Sequence, residues 1–182
     1  MRRHNDAEQP PLVRAILVGY QLPLSGVHGP AHWLRVRANG EALAGATHGA
    51  DLEVVQLFAL LHDSCRVNEH TDPQHGERAA DFVRELARRE LLPVKGQRVL
   101  VLAAACARHE LGDVTAHPTV GCCWDADRLE LSRLGRRPKP ELLSTQAALN
   151  PDLQSAAWAQ GISLVVDPVL AREWGVAARA LR

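Results

Sequence analysis

The chain has 182 residues, 46% of them hydrophobic, with 21 basic and 21 acidic side chains and nine histidines. That length suffices for one domain with its own core. Balanced charge excludes the broad field that draws in a nucleic-acid polymer or an anionic membrane, while leaving room for a small anionic ligand in a local pocket.

The polar start, residues 1–11, lacks the apolar centre of an export signal, and no apolar stretch is long and clean enough to span a bilayer. Four cysteines, Cys65, Cys106, Cys122 and Cys123, form no Cys-x-x-Cys pair and no spaced framework. That argues against a thiolate zinc site and against a disulfide scaffold. Together these features lead us to expect a reducing cytoplasm.

In chain order, the first predicted helix covers residues 30–46 and opens on a proline whose missing N–H is harmless there. Asp51 is an N-cap for a second helix, which carries the apolar run Val54-Val55-Gln56-Leu57-Phe58-Ala59-Leu60-Leu61 and closes on His62-Asp63. Asn68, Asp72 and Pro73 mark residues 64–74 as turns. A third helix is predicted over 75–92, a fourth over 95–110 and a fifth over 119–134, the last two ended by Gly112 and Gly135. Three proline-opened helices follow, over 140–149, 151–160 and 168–181, with a short strand at 162–166. The expected fold class is all-α. A single domain spans 1–182, with its core over about 27–134 and a short helical C-terminal extension over about 138–182.

Helical spacing aims several ligand-type side chains inward. His32 shares a face with Val36, Asn39 and Leu43, and His62 with Leu52, Val55 and Ala59. His75 leads the stripe Ala79, Phe82 and Leu86, while His109 ends the stripe Val99, Leu102 and Cys106. Asp127 lines up with Cys123, Trp124, Leu131 and Leu134. Any one of these is most simply a hydrogen-bonded core residue. Five in one small core would need several separate partners, whereas a shared divalent metal site satisfies them together. Asp125, two residues from Asp127, points elsewhere on the helix and is read as a capping or supporting group. His28 and His32 do not form a zinc-protease pair, because Gly29-Pro30 breaks the helix and the glutamate of that motif is missing. Trp33 and Trp124 are read as core packing rather than as stacking platforms for a base.

The segments His32-Trp33-Leu34-Arg35-Val36, Phe58-Ala59-Leu60-Leu61-His62-Asp63 and Asp125-Ala126-Asp127-Arg128-Leu129, in that order in a helical chain, resemble the HD-domain metal-dependent phosphohydrolase superfamily. The likeness implies a first metal held by His32, His62, Asp63 and Asp127. Two-metal members carry extra histidines between the His-Asp pair and the last Asp, and His75 and His109 stand there. They would hold a second ion, with Asp63 bridging the two. Arg66 replaces the lysine such members usually carry three residues after the His-Asp aspartate, keeping the charge and adding a bidentate phosphate grip. One-metal nucleotidases and alarmone hydrolases tend to have Glu at that offset; the nearest glutamate here, Glu69, reads as a solvated loop residue.

The resemblance therefore implies a phosphohydrolase or phosphodiesterase for a small nucleotide-like phosphoester, using metal-activated water as the nucleophile. Asp63 and Arg66 would be the catalytic residues, and Arg66, Arg128 and His28 the substrate-binding ones. Imidazole-rich ligation favours two transition-metal ions, iron or manganese first, then cobalt or nickel. A homodimer through the C-terminal helices, or a cap over the site formed by them, is also expected. Two other classes use the same ligands: a di-iron oxygenase of HD type, and a non-catalytic metal-binding regulatory module.

Overall fold

The computed structural model describes residues 10–166 and 168–175. Residues 1–9 of the polar start that informs the localisation, His4 among them, lie outside the described residues, as does the predicted last helix beyond Gly175.

An apolar sequence on every side marks a helix that must be enclosed on every side. That helix is α3 (Leu52–Leu61), and it sits at the centre, packed by α2 (Pro30–Ala46), α5 (Gln97–Arg108) and α6 (Pro118–Leu129). Its Val54, Val55, Phe58, Ala59 and Leu61 are almost wholly shielded from solvent. The Asp51 carboxylate accepts from the Val54 N–H as the predicted N-cap and also takes two hydrogen bonds from Arg98. α4 (His75–Arg88) is amphipathic and lays the stripe His75, Ala79, Val83 and Leu86 against α5. A helix the sequence reading leaves out, α1 (Pro11–Gly19), adds Val13 and Ile16 to the core.

Several predicted boundaries move for identifiable reasons. α4 stops at Arg88 rather than reaching residue 92. Glu90 takes a left-handed φ of 55°, and the Leu91 N–H turns back to the Leu86 carbonyl, so Leu92 and Val94 dip into the core. α6 ends at Leu129 and tightens into a 3-10 turn, Glu130–Leu134, closed by Gly135 at φ 67°. Residues 140–149 are not one helix. They form two 3-10 turns, Pro140–Leu142 and Ala147–Leu149, because the Ser144 and Thr145 N–H groups donate to the buried Asp125 carboxylate instead of continuing a helix.

The predicted strand at 162–166 is absent. α7 (Pro151–Ser163) consumes its first residues, Leu164 turns left-handed at φ 55°, and no described residue is in a strand with which it could pair. α8 (Pro168–Glu173) completes the extension. α7 packs on the 3-10 turn that follows α6, where Ser132 donates to the Ala157 carbonyl, and it also touches α2. All four cysteines are unpaired, and Cys106, Cys122 and Cys123 are buried as apolar residues. Among the described residues, no helix is long and apolar enough to cross a membrane.

Candidate metal centre

The inward-facing side chains meet where five helices end or begin. His32 stands in the first turn of α2, and His62 is the C-cap of α3 with Asp63 next to it. His75 opens α4, His109 is the C-cap of α5, and Asp127 lies in the last turn of α6. Helix ends suit this role, since their side chains reach past the backbone ladder without breaking it. All but Asp127 are buried, and Asp127 is partly open to the cleft.

Five separations define the first cluster. His32 Nε2 lies 3.1 Å from His62 Nε2, 3.5 Å from Asp63 Oδ2 and 3.4 Å from Asp127 Oδ1. His62 Nε2 lies 3.7 Å from each of the same two oxygens. In the second cluster His75 Nε2 is 2.9 Å from His109 Nε2, and the other Asp63 oxygen, Oδ1, is 3.1 Å and 3.6 Å from those two nitrogens. Ligands bonded to one ion at about 2.1 Å sit about 3.0 Å apart at right angles and about 3.4 Å apart in a tetrahedron, a range within 0.3 Å of every separation in the two clusters. Asp63 turns one oxygen to each.

Each ring is held from behind. His32 Nδ1 lies 3.0 Å from Glu130 Oε2, and His62 Nδ1 lies 3.2 Å from the carbonyls of Phe58 and Ala59. His75 Nδ1 is 2.5 Å from the Asp72 carbonyl, and His109 Nδ1 is 2.7 Å from that of Cys106. Acceptors at all four Nδ1 atoms place the ring protons there, so the Nε2 lone pairs converge. Two lone pairs 3 Å apart beside carboxylates demand a cation between them. The donor set fits a transition metal at both places.

The electrostatics show the same demand. Burial and Arg133 press the His32 imidazole towards neutrality, yet the carboxylates of Asp127, Asp63 and Glu130 lift its pKa to about 10. Burial drives facing His62 the other way, to about 3, against the pull of Asp63 and Asp127. Asp63 resists its own burial and stays well below the usual carboxylate range through His62, His109, His32 and His75. Asp127 is lowered as well, mainly by His32 once burial is overcome. Two anionic carboxylates with one positive charge held between the rings describe a hole shaped for cations.

The profile of the HD domain matches residues 31–147, most of the chain and all six converging side chains. The chain belongs to the HD-domain family. A solved structure, described as the crystal structure of a predicted HD superfamily hydrolase from an uncultured Thermotogales bacterium, is similar over 84% of this chain and 86% of that one, at 19% identity and a TM-score of 0.59. At that identity the likeness establishes the shared fold. No curated protein matches the chain. This is thus an HD-domain fold with a potential metal site.

A cleft of about 310 Å³ opens over the HD-domain centre, walled by Asp63, Arg66, His75, His109, Asp127 and Arg133 among others. Arg66 lies 3.6 Å from Asp63 Oδ1 and is braced by donating to the His70 carbonyl at 2.6 Å. His28 lines the same cleft and pairs with Glu69 at 2.6 Å, so that glutamate is partnered rather than solvated.

Arg128 is not brought to the site. One residue past Asp127, it points to the far side of α6, donating to the carbonyls of Leu142 and Asp113 and lying over the Trp124 ring. Asp125 also faces away, accepting from Ser144 and Thr145, and burial raises its pKa despite those donors. His117 caps α6 at its other end. Trp33 packs edge-on against Tyr20 in the core, and Trp124 donates to the Ala105 carbonyl, so neither offers a face to the cleft.

Sequence reasoning missed three charged neighbours. Glu130 is almost fully buried and receives His32, Arg35 and Arg133 together. Glu110 lies 3.2 Å from His75 Nδ1, and Arg133 reaches the cleft wall. A carboxylate three residues after Asp127, on the same side of the helix, was the available signal for Glu130.

Proposed function

We propose that this protein is a metal-dependent phosphohydrolase or phosphodiesterase acting on a small phosphorylated molecule. The supporting observation is Asp63, whose two oxygens face two separate histidine pairs, as a bridging ligand between two ions would. His32, His62, Asp63 and Asp127 would hold one ion, and His75, His109 and Asp63 the other, with iron or manganese best suited to such mixed nitrogen and oxygen ligands. Bound there, the ions would polarise the phosphoryl oxygens and activate a water.

The chain's own contribution is orientation and charge. Arg66 presents a guanidinium at the cleft wall beside Asp63, positioned to grip a non-bridging phosphate oxygen while its other nitrogen stays anchored to the His70 carbonyl. His28, held by Glu69 at the mouth, offers its remaining ring nitrogen to the same substrate. Burial of the histidines keeps bulk water from the reacting group, and their backbone and Glu130 partners keep the rings from turning.

The test is metal content and turnover together. Protein purified without oxygen and reconstituted with manganese or ferrous iron should bind two equivalents and cleave phosphoesters in a panel of nucleotides, dinucleotides and cyclic dinucleotides. Asp63→Asn should remove metal from both positions and lower kcat at least a thousandfold. Binding of no more than one equivalent after reconstitution would refute the paired centre. An oxygen-reactive iron pair with no phosphoester cleaved would replace hydrolysis by oxygenation, and a metal-loaded protein inert in both assays would be a regulatory module.

A further inference from the structure

Beside the metal cleft lies a second, larger cavity of about 650 Å³, a volume typical of pockets for organic ligands. Its walls are largely apolar: Val27, Ala31, Val165, Val166 and Ala171 line it. Two cations reach into it, Arg35 and Arg133, whose side chains are 5% and 6% exposed. Both lean on one carboxylate, Glu130, which His32 also uses.

That carboxylate can neutralise only one of the two guanidinium groups. Arg35 has one further contact, a long one of 3.5 Å to the Leu164 carbonyl, and the buried Nε of Arg133 has no hydrogen-bond partner among the described residues. A buried cation left short of partners is costly, and an apolar chamber supplies none of its own. Among the described residues no second carboxylate pairs with either arginine, which leaves the balancing charge open to an anionic ligand.

The chamber is not separate from the centre. Arg133 lines both spaces, and the loop before α2 divides them, with Val27 on the cavity side and His28 on the metal side.

We propose that this cavity holds the organic part of the substrate and that Arg133 and Arg35 take a second anionic group of the same molecule. The substrate class is then an organic phosphate with an apolar body and at least two negative groups, one at the metals and one at the arginines, rather than a simple monophosphate. This deepens the hydrolase reading and rests on it for the placement of the first phosphate.

Calorimetric binding to the manganese-loaded protein separates the contributions, with inorganic phosphate, AMP and ADP as probes. AMP adds the organic body to phosphate, and ADP adds the second anion to AMP. Affinity should rise at both steps, the second by at least tenfold. Arg133→Met should erase the AMP-to-ADP step, read at matched metal loading because Arg133 also braces Glu130. Val165→Trp, which fills the chamber from its rim without touching Glu130, should weaken AMP and ADP at least tenfold and leave phosphate unchanged. Should Arg133→Met lose metal, Val165→Trp alone decides.

ADP bound no tighter than AMP, an ADP step that survives Arg133→Met with metal retained, or nucleotides unaffected by Val165→Trp would each overturn the assignment. Failure of the hydrolase reading looks different: the stepwise binding would persist while no phosphoester is cleaved.

Discussion

Glu130 shows how much a single side chain behind a ligand decides. Its carboxylate accepts from His32 Nδ1 and fixes which ring nitrogen faces the metal position, and His32 first, then Arg133 and Arg35, keep it anionic against its burial. Glu130→Gln keeps the shape and removes the charge. Metal affinity, read by competition with a chromogenic chelator, should fall about 10- to 100-fold while the helical circular dichroism is retained; unchanged affinity would remove Glu130 from the centre. At this scale the converging histidines were legible because helical spacing places each on an apolar stripe. Glu130 was overlooked despite its spacing from Asp127, and Arg133 was not legible, because the chain tightens into a 3-10 turn after Leu129 and its faces no longer follow the α-helical rotation. Arg128 was misjudged although the clue was available: the rotation that separates Asp125 from Asp127 also carries the next residue away.

Elements place these residues through a few close approaches and caps. Gly76 follows His75, and a Cβ there would meet the Cys106 carbonyl oxygen at 2.7 Å, so glycine lets the start of α4 approach the end of α5 closely enough to pair His75 with His109. Gly76→Ala should cost about 1–3 kcal/mol in denaturant unfolding and should empty the His75–His109 position before the other, leaving about one metal equivalent by elemental analysis. Asp51 works at the opposite end of α3. Arg98 holds its carboxyl below the usual range, so its stabilising contribution is complete above the unfolded pKa and fades as pH falls through the lowered folded value. Asp51→Ala should cost about 1 kcal/mol at neutral pH, and the gap to the parent should close as the pH falls below about 4, the unfolded carboxyl value. The long helices were readable from period and caps. The split at 143–146 was not, since it depends on Asp125, a partner about twenty residues away in sequence, and neither was the missing strand, which has no neighbour to pair with.

For the molecule as a whole, the centre joins α2, α3, α4, α5 and α6, so an ion bound there ties together the termini of the entire core. Metal that binds only the folded state stabilises it by mass action, about 2.7 kcal/mol at a hundredfold excess over Kd. Removing it with a chelator should lower the Tm by roughly 5–10 °C for a chain of this size, and restoring manganese or iron should recover the loss. An unchanged Tm with metal demonstrably removed would show that the bundle holds without it. The sequence reading anticipated the helical core and the extension, but it could not reveal the large chamber, whose walls come from the loop before α2 and from residues 163–166, 168 and 171 far along the chain.

The shared carboxyl of Asp63 has one torsion angle to give and two neighbours to satisfy. Filling either side sets that angle for the other, and vacating either leaves an oxygen aimed at nothing. Were two ions held there, each would steady the carboxyl for the other, so a variant emptied on the His75–His109 side should also grip its remaining ion less tightly.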